Sequence, residues 1–173
     1  RAALPEEAAS LTQLALRSKA SWGYSEAFLK ACEEELTVLP GNIESDDFHY
    51  EIAELGGEVV GFYTLEGQVR DVIELGALFV EPSHQGSGIG RLLLMAARQR
   101  AQALGASRMT IQGDPHADGF YRSAGATRVG SRESGSVRGR MLPMSRISTD
   151  TRQARGCEPP GGLHSLNYAH EIR

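Results

Sequence analysis

The stretch Glu74-Leu-Gly-Ala-Leu-Phe-Val80, continued by Glu81-Pro-Ser-His84 and Gln85-Gly-Ser-Gly-Ile-Gly90, decides how this chain folds. An apolar run of strand length passes through a short loop and a glycine-rich turn into Arg91 to Leu104. There Ile89, Leu92, Leu93, Ala96, Ala97 and Leu104 fall at helical spacing, and Gly105 supplies a stop. A strand, a glycine turn and a helix start together make an anion site. The first N–H groups of the helix lack partners within it, and the macrodipole leaves partial positive charge at that end. Glycines let the backbone come close to a ligand. A phosphate-bearing ligand is expected at this turn.

Spacing narrows the ligand. A P-loop would close with Gly-Lys-Ser/Thr, but Gly90 is followed by Arg91 and Leu92. The dinucleotide fingerprint fails as well: counted from Gly86 its last glycine falls on Arg91, and counted from Gly88 it falls on Leu93. A kinase glycine loop joins two strands, not a strand to a helix. What fits is Q-x-x-G-x-G, read as Gln85, Gly88 and Gly90.

Composition sets ordinary bounds. At 173 residues and 40% hydrophobic content the chain can build one domain with a real core. A net charge of -4 disfavours general nucleic-acid binding. Acidic clusters, Glu33-Glu34-Glu35 and Asp46-Asp47, lie in the first half, while Arg122, Arg128, Arg132, Arg138, Arg140 and Arg146 follow Tyr121. Two solvated faces of opposite sign would explain this, as would acids near an amine and arginines near phosphates. Two cysteines, Cys32 and Cys157, are too few for a disulfide scaffold, so a reduced cytoplasmic setting is expected. Neither a signal peptide nor a membrane-length apolar run is seen, and the five histidines show no paired ligand spacing, so no membrane and no metal are expected.

Along the chain, Leu4-Pro5-Glu6-Glu7 reads as a helix start, with Leu11, Leu14 and Leu16 on its apolar side. Ser25 is a candidate cap for a second helix through Phe28, Leu29 and Leu36. Phe48 to Leu55 and Glu58 to Leu65 form strand-like runs around Gly56-Gly57, a hairpin signal, and a third run spans Val69 to Val80. Arg108 to Gln112 reads as a strand, Ala117 to Ala124 as a short helix, and Thr127 to Arg132 and Met141 to Ile147 as closing strands.

The glycine motif resembles the acyl-CoA-binding motif of the GNAT superfamily of N-acetyltransferases. A second block, Asp114-Pro-His-Ala-Asp-Gly-Phe-Tyr-Arg-Ser-Ala-Gly-Ala126, is similar to that family's N-x-x-x-F-Y-x-x-x-G-F/A segment, with Tyr121 and Gly125 in register. His116 departs from it, standing where relatives carry asparagine. Gly139-Arg-Met-Leu-Pro-Met144 resembles the final strand of small bacterial members. The resemblance covers roughly residues 4 to 147. It implies the family's α/β acyltransferase fold, a central mixed, mostly antiparallel twisted sheet flanked by helices and splayed at the cofactor site. Residues 1–147 would form that domain and 148–173 a linker-like or tail extension. The family begins with a strand ending like Ile-Arg-x-Ala, whereas here Arg1-Ala-Ala-Leu4 already sits at its end, so the first strand looks missing. Tyr168-Ala-His-Glu-Ile-Arg173 would suit that strand if placed before Arg1, with a disordered tail as the alternative.

The resemblance also implies the chemistry: direct transfer of an acetyl group from acetyl-CoA to a primary amine of a small molecule or peptide. Such transfer needs a neutral amine, a polarised carbonyl and a protonated leaving thiolate. Glu74 stands where relatives place a catalytic glutamate, acting directly or through water, with an ordinary strand-edge carboxylate as the alternative. Tyr121 would protonate the thiolate, with a mere packing residue as the alternative. The Leu78 N–H would hold the carbonyl and Val80 would pair with the pantetheine arm, while Phe79, counted with them, is more simply a core residue. Gln85, Gly86, Ser87, Gly88, Ile89, Gly90, Arg91 and His116 would complete the cofactor contacts, with a solvated arginine on the outer face as the alternative for Arg91. Trp22 and Tyr24, with Phe28 near them, would wall the acceptor site, where aromatic faces suit an ammonium. Two other readings stand beside this one: a non-catalytic acyl-CoA-binding regulatory module, and a nucleic-acid module using the arginine-rich segment. Oligomeric state is left open, a homodimer included.

Overall fold

The computed structural model describes residues 1–151; Cys157, the stretch 155–162 and the segment 168–173 lie outside the described residues. A 3-10 turn, Pro5–Glu7, leads into helix α1, Ala8–Ala20. Pro5 occupies the first helical position, and the Glu7 carboxylate accepts the Leu4 N–H at 2.8 Å, satisfying one of the donors a helix start leaves over. The Ser25 hydroxyl caps α2, Glu26–Ala31, by accepting the Phe28 N–H. The expected run to Leu36 is broken at Cys32, behind which α3, Glu33–Leu36, restarts. That break brings both Cys32 and Leu36 against α1, where they are buried with Leu11 and Leu14. A further short helix, α4, Pro40–Glu44, was not expected, although Pro40 at its first position was the available sign.

Strands β1, Phe48–Leu55, and β2, Glu58–Val69, form the hairpin about Gly56-Gly57. Strand β3 is Val72–Val80, not Val69–Val80, because Val69 closes β2 and Arg70, at φ 57°, turns the chain. Helix α5, Ile89–Ala103, strand β4, Arg108–Gln112, helix α6, Asp118–Ser123, and strands β5, Thr127–Glu133, and β6, Met141–Ser148, follow. The six strands lie in the order β1-β2-β3-β4-β6-β5. Every neighbouring pair is antiparallel except β3·β4. Arg1 to Ala3 lie beside β1: Ala2 bridges Glu51, and Ile52 donates its N–H to the Arg1 carbonyl at 2.8 Å.

Apolar side chains divide between the two sheet faces. One face buries Tyr63, Leu65, Ile73, Leu75, Met109 and Ile111 against α5; the other buries Ile52 and Phe62 against Leu11 and Leu14 of α1. Each fully buried leucine is worth roughly 1.5–3 kcal/mol relative to exposure. The α5 stripe is rotated from the expected one: Leu93, Leu94, Ala97 and Ala101 are buried, whereas Leu92 is 60% exposed. Three consecutive leucines leave the helical phase ambiguous, and contact with the sheet selects it. No helix among the described residues is long and apolar enough to cross a membrane.

Two irregularities in β3 build the site. Thr64 pairs with Ala77 but Leu65 pairs with Leu75, so Gly76 is an extra, bulged residue. Pairing of β3 with β4 then stops at Leu75↔Ile111, and β3 runs on alone on that side to Val80. The sheet splays open there.

Candidate active site

A cleft of about 440 Å³ passes through the sheet at this splay. Its β3 wall is made of Leu75 to Val80, and its other wall includes Gln112, Gly113 and Asp114. The Glu81 N–H bonds the Val60 carbonyl at 2.9 Å. In an antiparallel ladder alternate residues turn their N–H groups to opposite sides, so Leu78 and Val80 aim theirs into the splay. These are the two expected backbone donors.

The glycine turn forms the cleft's outer end. Gly88 sits at φ 95° as the residue before α5, a conformation that side chains resist. The N–H groups of Gly86, Gly88, Ile89 and Gly90 find no protein acceptor among the described residues. Space beside Gly86 and Gly88 is open within 4 Å of where a Cβ would stand. Four free amides at the start of a 15-residue helix, next to open space, fit a pyrophosphate; two free strand amides fit a pantetheine arm. Coenzyme A suits these residues.

Other expected contacts divide. Gln85, Arg91 and His116 line the cleft, as do Phe79 and Trp22; Ser87 and Ile89 do not. The Gln85 amide donates to Ser21 Oγ at 3.2 Å and to the Val80 carbonyl at 3.5 Å, tying the turn to the end of α1. Arg91 donates to Ser123 Oγ on α6. Phe79 packs on Phe62 with ring centroids 5.7 Å apart, a core contact.

Tyr121 is buried on the cleft wall, its ring against Gly113, where an added Cβ would stand only 3.2 Å from Cε2. Gly113 thus makes room for the phenol, a role that no motif announced. Burial pushes the Tyr121 phenol above its usual value, so it keeps its proton at neutral pH. No hydrogen bond to the Tyr121 hydroxyl is found among the described residues.

Beside the cleft lies a cluster centred on Asp114. Its carboxylate accepts from Lys19 Nζ at 3.0 Å, the Tyr24 hydroxyl at 2.9 Å, the His116 N–H at 3.0 Å and Arg140 at 3.3 Å. Arg140 also donates to the Tyr24 hydroxyl at 2.6 Å and lies over the Phe28 ring, 4.6 Å from its centroid. Burial opposes the Asp114 charge, yet the His116 N–H and Lys19 hold its carboxyl below the ordinary carboxylate value. Tyr24 stacks on Phe28 at 4.2 Å and is spent inside this cluster, not on the cleft lining. Trp22 does line the cleft, edge-on to His116 at 5.1 Å.

Glu74 also stands apart from the lining. Its carboxylate pairs with Arg132 of β5 at 3.1 Å, and it borders a second hollow shared with Asp46, Asp47 and Glu66. Among the described residues no group of three or more His, Cys, Asp or Glu is arranged to hold a metal.

Known proteins fit this geometry. No curated protein sequence matches the chain. Among solved structures, the PaiA N-acetyltransferase of Thermoplasma acidophilum, in complex with coenzyme A, superposes with a TM-score of 0.71 at 19% identity, over 86% of this chain and 96% of that one. A GCN5-related N-acetyltransferase of Rhodopseudomonas palustris gives 0.70 at 26% identity, over 86% and 93%. An aminoglycoside 6'-N-acetyltransferase complexed with coenzyme A gives 0.61 at 18%, over 84% and 92%. The profile of the acetyltransferase (GNAT) family matches residues 13–126, more than half of the chain. A splayed sheet with free amides on both its strand and its helix turn, carried by a sequence under that profile, makes this chain a member of the acetyltransferase (GNAT) family and an acetyl-CoA-dependent acetyltransferase.

Proposed function

We propose that the enzyme transfers acetyl to a primary amine of a small molecule or peptide by direct attack. The supporting observation is a cleft open through the sheet, with the glycine turn at one end and carboxylates beside the other. Acetyl-CoA supplies an activated carbonyl and a thiolate leaving group. The Leu78 N–H would hold a carbonyl oxygen, the Val80 N–H and the free amides of Gly86, Gly88, Ile89 and Gly90 would bind the cofactor's length, and the Tyr121 hydroxyl would give a proton to sulfur. Trp22 lines the cleft and would border the acceptor. Glu74 is engaged by Arg132 and stands outside the lining, so any part it took in deprotonating the amine would run through water. Cys32 is buried and free, in keeping with a reducing, cytoplasmic setting.

The test is an acetyl-CoA turnover screen across an amine panel, read as thiol release. Release that depends on the amine supports the reading. Coenzyme A binding with no release from any amine would leave a non-catalytic binding module instead.

Cofactor docking has its own test in Gly90. A Cβ added there meets Phe120 at 3.5 Å and Val80 Cγ2 at 3.7 Å, ordinary contacts, so the fold should hold. The γ-carbons of Gly90→Val would reach into the cleft beside the free amides. Coenzyme A affinity should fall by roughly tenfold or more, about 1.4 kcal/mol per decade. Calorimetry returning wild-type affinity in the folded variant would remove this turn from the cofactor site.

A further inference from the structure

Glu66 was not among the residues singled out by sequence, and the tertiary structure gives it an unusual position. It faces Glu74 directly across the β2–β3 pair. Its carboxyl group lies on the bulged Gly76: a Cβ built there would stand 2.6 Å from Glu66 Cδ and 2.7 Å from Oε1. Gly76 and Thr64, two residues before Glu66 on β2, both line the cleft. Glu66 therefore stands at the seam between the cleft and the acidic hollow. Glu74, by contrast, is already paired with Arg132. Glu66 has no hydrogen bond or ion pair among the described residues, although it is about half buried. A half-buried carboxylate costs stability unless something charged meets it.

We propose that Glu66 is the group that meets the acceptor's ammonium and removes its proton, a role that rests on the amine-acetylation reading above. The acceptor arrives as R–NH3⁺. One proton passes to a Glu66 oxygen and leaves to solvent through the open hollow. The nitrogen lone pair then forms the C–N bond while the C–S bond breaks. Tyr121 gives its proton to sulfur, and the second proton lost from nitrogen restores the phenol. Protons and electrons balance without any further reactant. A side chain at Gly76 would displace the Glu66 carboxyl from the bulge.

Titratable and charged groups surround Glu66 on three sides. They are Glu74 with Arg132 behind it, Asp46 and Asp47 before β1, and His49 and Tyr50 on β1. Burial and, after it, Glu74 raise the Glu66 carboxyl above its ordinary value. A raised carboxylate value means that ionisation opposes folding. Its cost is absent in acid and appears as pH rises through the folded value. Glu66→Gln should therefore melt no lower than wild type at neutral pH, and any gain should vanish in acid.

The experiment compares kcat/KM against pH for wild type, Glu66→Gln, Glu66→Asp and Glu74→Gln with an alkylamine acceptor. Glu66→Gln should lose roughly 10²-fold at neutral pH, recover as pH approaches that of the free amine, and keep coenzyme A affinity. Glu66→Asp should keep part of the rate and the same acidic limb. With a weakly basic amine, already neutral at pH 7, the Glu66→Gln loss should shrink. A Glu66→Gln profile parallel to wild type would overturn the proposal. So would a limb abolished in Glu74→Gln but intact in Glu66→Gln. Wild-type enzyme that releases no thiol with any amine would instead overturn the amine reading itself.

Discussion

Turnover of Tyr121→Phe should fall by roughly 10²–10⁴-fold, the range for a lost general acid. The substitution removes one oxygen and leaves a ring of the same shape. That ring is packed against Gly113 and edge-on to Phe120, with centroids 5.1 Å apart, so the cleft wall should survive. Coenzyme A affinity and melting temperature should stay near wild type, because no hydrogen bond to the hydroxyl is lost among the described residues. Burial keeps the phenol protonated through the neutral range, so the wild-type rate should not decline there through loss of this proton. The measurement is single-turnover thiol release with saturating amine, which isolates the chemical step. A wild-type rate in the phenylalanine variant would reduce Tyr121 to a packing residue.

The second large effect belongs to Asp114. Removing its carboxylate leaves Lys19 and Arg140, both mostly buried, without their shared counter-charge. Breaking a buried pair by deleting one partner costs about 3–5 kcal/mol. At about 2–4 °C per kcal/mol for a chain of this size, Asp114→Ala should melt on the order of 10 °C lower. Asp114→Asn keeps an acceptor for the His116 N–H and should fall between the two. The pH dependence carries a definite sign. Because the folded carboxyl is held below its unfolded value, its contribution is present above the unfolded pKa of about 3.9 and is lost as pH falls through the folded one. The melting temperatures of wild type and Asp114→Ala should converge in acid. Calorimetry showing equal stability at pH 7 would mean that the cluster contributes nothing net. Acceptor KM should also rise in Asp114→Ala, since Asp114 ties the loop bearing Trp22 and Tyr24 to the cleft wall.

Local signals in the sequence sufficed wherever a residue acts on its chain neighbours. Pro5 with Glu7 starts α1, Ser25 caps α2, and Gly56-Gly57 turns the β1–β2 hairpin, because caps and turns are closed by groups within a few positions. The glycine turn before α5 was legible for the same reason: its free amides follow from helix geometry alone. Periodicity was a weaker guide. It placed α5 but put Leu92 inside, and only contact with the sheet turned Leu94 inward instead. The break at Cys32 came from packing on α1, which residues 25 to 36 do not reveal by themselves.

The carboxylates mark the boundary most clearly. Sequence alone determined the fold family and the glycine turn before α5, and it offered the candidate cofactor site and general acid, each carried by a short motif with its own mechanism. It could not say which acid faces the acceptor, since that depends on where β3 bulges and which cation crosses from β5. The bulge at Gly76 brings the Glu66 carboxyl onto the edge of the cleft, and the β5–β6 pairing delivers Arg132 to Glu74. Likewise Tyr24, placed by sequence on the acceptor wall, is drawn to Asp114 and Arg140, 90 and 116 residues away. Contacts of that range are set by strand register and by the cost of leaving buried charge unpaired, and both exist only once the sheet has formed.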